Sequence, residues 1–224
     1  NGSRWGTYEY VEEWYLSELK KRGVEDSFQK GKEALLYLND VILSAISGVV
    51  VKAREAMDWL AEVGKAVLDA DLPLSWEAPT KFPIIPNYKI FKKTGKVKTR
   101  FMGKISFLYN YGETKEVNRR KSVQAFSPNF VHSLDAAALV KTTLLAKERG
   151  IDNFCMIHDS YGTTAGSAPI LSQCIRDAWC DMFKQDIIGE LVESFRKQGV
   201  DVPDPPSCGN LDIDQLRHSK YFFS

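Results

Sequence analysis

Apolar positions recur every three to four residues through the first third of the chain. Residues 8–22 carry Val11, Trp14, Tyr15 and Leu19 at that spacing, and Gly23 follows as a stop, which predicts a helix. A second periodic stretch covers about 33–70 and includes Leu36, Val41, Ala45, Val49, Ala56, Trp59 and Leu60, with Gly48 as a candidate break between two helices. Prolines 73, 79, 83 and 86 then close the helical part. Beyond them the period changes to two. Residues 96–101 place Lys96, Lys98 and Arg100 on one strand face and Val97, Thr99 and Phe101 on the other. Residues 104–109, starting at Lys104, alternate again past Gly103, and Tyr111-Gly112 reads as a further turn. A basic hairpin with interleaved aromatics is predicted over 89–121.

Helical period returns at Ser127-Pro128, which reads as a helix start with Ser127 as N-cap and Pro128 at the first helical position. Val131, Leu134, Ala138 and Leu145 form the predicted buried stripe of that helix, and Gly150 ends it. His132 and Asp135 are three residues apart and share a face beside the stripe. A strand over 153–158, a turn and a return strand over 160–164 follow. Further helices are predicted from Ser167 to about Phe183 and over 186–198, and the tail ends in Tyr221-Phe222-Phe223. The predicted fold class is α+β, mostly helical, with no internal repeat or low-complexity segment.

A chain of 224 residues has room for one large domain or two modest ones. With 44% hydrophobic and 26% charged residues, its composition is that of a globular protein and excludes wholesale disorder. The four cysteines (Cys155, Cys174, Cys180, Cys208) form no C-x-x-C pair, which speaks against a disulfide framework or a structural zinc site and for a reducing interior. No apolar run reaches the ~18 residues of a membrane span. Asn1-Gly2-Ser3 has neither an initiator methionine nor a signal-peptide core and reads as a cut or processed start. The net charge of +1 hides a strong segregation, because residues 89–121 hold 11 basic and two acidic side chains while the rest of the chain is net acidic. That excess favours a phosphate-backbone partner over a merely solvated face.

The stretch Phe154-Cys155-Met156-Ile157-His158-Asp159-Ser160-Tyr161-Gly162 delivers an imidazole and a carboxylate at the end of an apolar strand. A serine-hydrolase triad is excluded, because neighbouring strand residues point to opposite faces. Two readings of His158-Asp159-Ser160 stay open from these residues alone. Asp and Ser are ordinary turn residues. Alternatively, a carboxylate aimed from a hairpin tip suits one ligand of a magnesium site, which uses few carboxylates plus substrate phosphates.

The wider pattern separates them. "SPNFVHSLDAAAL" on a helix, followed about twenty residues later by "IHDSYGTT" on a hairpin, resembles the bacteriophage-type single-subunit RNA polymerases, a family that includes the mitochondrial enzymes. "REAMDWLAEVGKAV", "KFPIIPNYK" and the terminal "SKYFFS" extend the resemblance to the family's C-terminal part from one end of the chain to the other. It implies part of a right-hand polymerase, with a fingers-like portion over 1–132 and a palm portion over 133–224 built on a catalytic hairpin at 153–164. It further implies that Asp159 is a catalytic aspartate and ligand of two Mg2+ ions, that His158 lies near the primer terminus, and that His132 faces the ribose of the incoming nucleotide. Residues 89–121 correspond to the family's specificity-loop hairpin, with Lys96, Lys98, Arg100, Lys104, Arg119 and Arg120 as candidate nucleic-acid contacts. The tail after Phe223 corresponds to one that packs near the active site.

The implied partners are a DNA template or promoter, an RNA product and ribonucleoside triphosphates, with no membrane. The implied setting is the cytoplasm of a phage-infected bacterium or, alternatively, the mitochondrial matrix. The family's first metal-binding aspartate and its nucleotide-binding helix should precede this chain, with Asn1-Gly2-Ser3 falling at that helix's end. Half a metal site and an N-terminal polymerase polypeptide as partner are therefore expected. Two alternatives remain: a remnant of a family A DNA polymerase, against which Ser160 after Asp159 and the "YFFS" end argue, and a non-catalytic DNA-binding module of the same fold.

Overall fold

The computed structural model describes residues 4–23, 31–99 and 105–222. The N-terminal tripeptide, Arg100, Phe101, Gly103, Lys104 and Phe223 lie outside these. The chain divides into two compact units, residues 1–56 and 57–224. Both are dominated by helices, and among the described residues the sheets are three antiparallel pairs, so the fold is α+β and mostly helical.

In the first unit α1 (Arg4–Arg22) pairs with α2 (Gly31–Val49). Tyr8, Val11 and Leu35 are buried between them, with Tyr15, Leu36, Leu38 and Ile42 packed around. Gly23 stops α1 at φ 62°, a conformation glycine adopts freely. The break foreseen near Gly48 falls at Val50, after which α3 (Val51–Asp69) begins. On the side of α2 away from Leu35, Tyr37 is 74% and Val41 45% exposed. No single helix among the described residues is long and apolar enough to cross a membrane.

The second unit is built round the C-terminal part of α3. Trp59, Leu60, Val63 and Val67 share a buried cluster with Trp76, Phe126, Phe130 and Phe195. Two short strands, β1 (Trp76–Glu77) and β2 (Pro83–Ile84), form a small pair within the proline-rich segment, where the sequence suggested only punctuation. β3 (Lys89–Thr99) and β4 (Ile105–Val117) form the predicted basic ribbon, but it ends at Val117 and not at residue 121: Arg119, Arg120 and Lys121 belong to the helix that follows. Tyr111-Gly112 is not a turn. Gly112 stands inside β4 at φ 68°, packed against the Lys92 side chain, and a bulge follows, where pairing slips between Lys89 and Phe91. Thr114 holds that irregularity by donating to the Ile90 carbonyl at 3.0 Å.

α4 (Arg119–Glu148) corrects a second expectation. It starts eight residues before Ser127, and Asn118, not Ser127, is its N-cap, accepting from the Lys121 N–H at 3.0 Å. Pro128 lies inside the helix, where it removes the N–H that would bond the Gln124 carbonyl. The first turns persist because they are packed: Phe126 is wholly buried and meets Trp76 edge-on at 5.2 Å. Of the predicted stripe, Ala138 is buried, Leu134 and Leu145 half-buried, and Val131 exposed. After α4 come β5 (Cys155–Ile157) and β6 (Ser160–Gly162), then α5 (Ala168–Phe183) and α6 (Ile187–Lys197), close to where the pattern put them.

Candidate active site and nucleic-acid ribbon

The β5–β6 hairpin presents its tip by burying its back. Register pairs Met156 with Tyr161 and Ile157 with Ser160, leaving His158 and Asp159 as the two turn residues. Phe154, Met156 and Tyr161 pack on a cluster made by Ala146 of α4 and by Leu171, Cys174 and Ile175 of α5. Cys155, Ile157 and Ser160 lie on the exposed side, and His158 and Asp159 are exposed at the tip. Gly162 lets the strands approach closely, since a Cβ there would crowd the Cys155 carbonyl oxygen at 3.0 Å. Thr163 closes the base by donating to the Asn153 carbonyl at 2.8 Å. His158 sits at φ 53°, a left-handed conformation costly for a residue with a side chain, so the packed strands below must hold the tip in place.

A cavity of about 780 Å3 opens at this tip, lined by His132, Asp135, Ala136, Leu139, Val140, His158 and Asp159. The three residues singled out from sequence, 26 and 27 positions apart, thus share one cavity between α4 and the hairpin turn. The sequence reading gave Asp135 a place beside His132 but no role. Here its Oδ2 lies 3.8 Å from His132 Nδ1, and its carboxylate faces the same cavity as Asp159. Tyr161 was missed as an anchor. Burial pushes its phenol above the ordinary value, and the negative charges of Asp135 and Asp159 push it further, against opposing contacts from Trp179 and Thr142. Its alternation with Phe154 and Met156 across a two-residue turn was the available signal.

One or two carboxylates with open water and room for phosphates suit magnesium, which keeps several waters and binds few protein ligands. Among the described residues no group of three or more His, Cys, Asp or Glu could hold a metal alone. The donor set fits part of such a site.

On the ribbon, Lys96 and Lys98 are exposed on one face, opposite Leu108 and Ser106. Val97 and Phe107, paired across the strands, are 48% and 55% exposed on the other. Arg100 and Lys104 fall outside the described residues. The ribbon's base is fixed: the Asn118 N–H donates to the Tyr88 carbonyl at 2.8 Å, Asn129 donates to the Tyr88 hydroxyl at 3.0 Å, and Lys121 lies over the Tyr88 ring. Arg120 is exposed, whereas Arg119 pairs with Asp69 and Asp71 and so serves the base of the ribbon.

The tail returns to the hairpin's back. Phe222 meets Trp179 edge-on at 5.8 Å and joins the cluster that holds Met156 and Tyr161. Arg176 donates to the carbonyls of Leu216 and Ser219. Arg217 pairs with Asp177, Asp181 and Asp214, and Arg149 at the end of α4 reaches Asp177 at 2.7 Å.

A helix histidine, a hairpin histidine and a hairpin aspartate thus face one cavity. The chain belongs to the DNA-dependent RNA polymerase family, whose sequence profile matches residues 4–202. It is 30% identical over 222 residues to the mitochondrial DNA-directed RNA polymerase 1 of Nicotiana sylvestris, covering 97% of this chain and 21% of that protein. To DNA-directed RNA polymerase 2A of Nicotiana tabacum it is 30% identical over 224 residues, covering 97% of this chain and 64% of that protein. The chloroplastic DNA-directed RNA polymerase 3 of Nicotiana sylvestris is 28% identical over 220 residues, with 97% of this chain and 22% of that protein covered. The chain thus spans about a fifth of the length of most of these relatives.

Proposed function

We propose that this chain forms the C-terminal part of the catalytic centre of a DNA-directed RNA polymerase and takes part in template-directed RNA synthesis. The observation that carries this reading is the shared cavity of His132, His158 and Asp159. Asp159 would hold Mg2+, which when bound supplies charge neutralisation for in-line transfer of a nucleotidyl group. The half-buried back of the hairpin, packed on α4 and α5, aims the Asp159 carboxylate at the cavity. His158, beside it on the turn, faces the primer terminus, and His132 faces the nucleotide sugar. The ribbon's lysines track the phosphates of DNA template or RNA product.

In this reading residues 1–132 act as fingers and 133–224 as palm, a division falling within α4. The other metal-binding aspartate and the triphosphate-binding helix come from polymerase sequence outside these 224 residues, in the same or a separate polypeptide. The exposed apolar side of α2 is suited to packing against that sequence. Because relatives are named mitochondrial or chloroplastic, an organelle is the proposed setting.

The test is Asp159→Asn in the assembled polymerase. Nucleotide addition should be abolished while DNA binding stays nearly intact, because the change removes a metal-binding charge and barely alters shape. A rate within about tenfold of the parent enzyme, set against the several kcal/mol a catalytic metal contributes, would remove Asp159 from the metal site and favour a non-catalytic DNA-binding module.

A further inference from the structure

We infer that Asp135 is a positioning residue for His132: its carboxylate holds Nδ1 of the imidazole, so that Nε2 is turned into the cavity toward the nucleotide sugar. The inference rests on the polymerase reading above and adds to it a residue to which the sequence assigned no role. Three observations carry it. His132 and Asp135 stand one turn apart on α4, the spacing at which side chains meet. Both line the cavity that holds His158 and Asp159. The atoms that face each other are Nδ1 and Oδ2, at 3.8 Å, a separation that a small rotation in the substrate complex closes to a hydrogen bond.

The asymmetry of the pair sets which partner directs the other. The His132 side chain is 79% exposed and free to turn, whereas Asp135 is 41% exposed and more tightly seated. An imidazole with one nitrogen engaged presents the other in a defined tautomer and direction, and the identity of the engaged nitrogen decides which. Among the described residues, His132 is the only side chain within ion-pair distance of Asp135. Asp135 also shares the cavity with Asp159, a like charge that a carboxylate serving only solubility would not be placed against.

The experiment compares Asp135→Asn, Asp135→Glu, His132→Ala and the Asp135→Asn/His132→Ala pair in the assembled polymerase, reading the preference for ribo- over 2′-deoxyribonucleotides. Asp135→Asn should lower that preference by about two- to fivefold, the size of an exposed charge pair. Asp135→Glu, which keeps the charge, should restore it, and the double variant should discriminate no worse than His132→Ala alone. Unchanged preference in Asp135→Asn, or effects that multiply in the double variant, would overturn the inference. Asp159→Asn is run beside them: if it extends RNA normally the polymerase reading itself fails, whereas its loss together with a silent Asp135→Asn sinks only the positioning role.

Discussion

The indole N–H of Trp76 donates to Ser133 Oγ at 3.0 Å, and Ser133 in turn donates to the Phe130 carbonyl at 2.6 Å. Both side chains are buried, and Ser133 adjoins His132 on α4. The short β1–β2 pair therefore reaches through the core and fixes the helix at the residue next to the site. Replacing Ser133 with Ala leaves a buried indole N–H without its acceptor, which costs about 1–3 kcal/mol. Thermal unfolding should show that loss. Trp76→Phe combined with Ser133→Ala should cost less than the two separate losses added together, since the orphaned donor disappears with the indole. Strict additivity would mean the bond contributes nothing beyond packing.

How much of this was legible in the sequence varies with what holds each element. α5 and α6 obey local rules: Ser167 with Pro169, and Asp186 whose side chain accepts from the Gly189 N–H, are start signals written within a few residues. The start of α4 was not legible, because Ser127-Pro128 imitates an N-terminus and masks the true cap, Asn118, from which the helix runs on through Pro128 with Phe126 buried. Gly112 likewise signals a turn by composition and serves as a left-handed residue inside a strand. His158 and Asp159 could be picked out by motif, but their meeting with His132 depends on the hairpin packing beneath α4, and Asp135 acquired meaning only from that meeting.

The ribbon offers a salt-dependence test. Lys96 and Lys98 are exposed on one face and free of the acidic partners that occupy Arg119. Replacing both with Gln should weaken DNA binding and reduce the log–log salt slope by about 0.9 for each phosphate no longer neutralised. Arg119→Gln should instead loosen the ribbon's base and lower thermal stability, with a smaller change in slope. Titrations at several salt concentrations separate the two, and an unchanged slope for the lysine pair would make that face solvated surface.

The tail that backs the hairpin should come off in acid. Asp177 is buried, which by itself would raise its pKa, but hydrogen bonds from Arg149, Gln173 and Arg217 outweigh burial and hold it below the ordinary carboxylate value. Asp214 is lowered as well, chiefly by Lys184 and then by Arg217. For carboxylates depressed on folding, the stabilisation is complete above the unfolded value near ~4 and is lost as pH falls through the folded one. Tail docking should therefore be constant from neutral pH down to the ordinary carboxylate range and fail only below it. Asp177→Asn should mimic the acid state at neutral pH, costing roughly 2 kcal/mol, because Arg149 and Arg217 then lose their shared anion. Limited proteolysis within 213–222, followed across pH, reads the release directly. Because Phe222 shares a cluster with Met156 and Tyr161, the same variant should slow nucleotide addition in the assembled polymerase. A tail that stays protected in Asp177→Asn would place its anchorage in the Trp179–Phe222 contact rather than in the ion network.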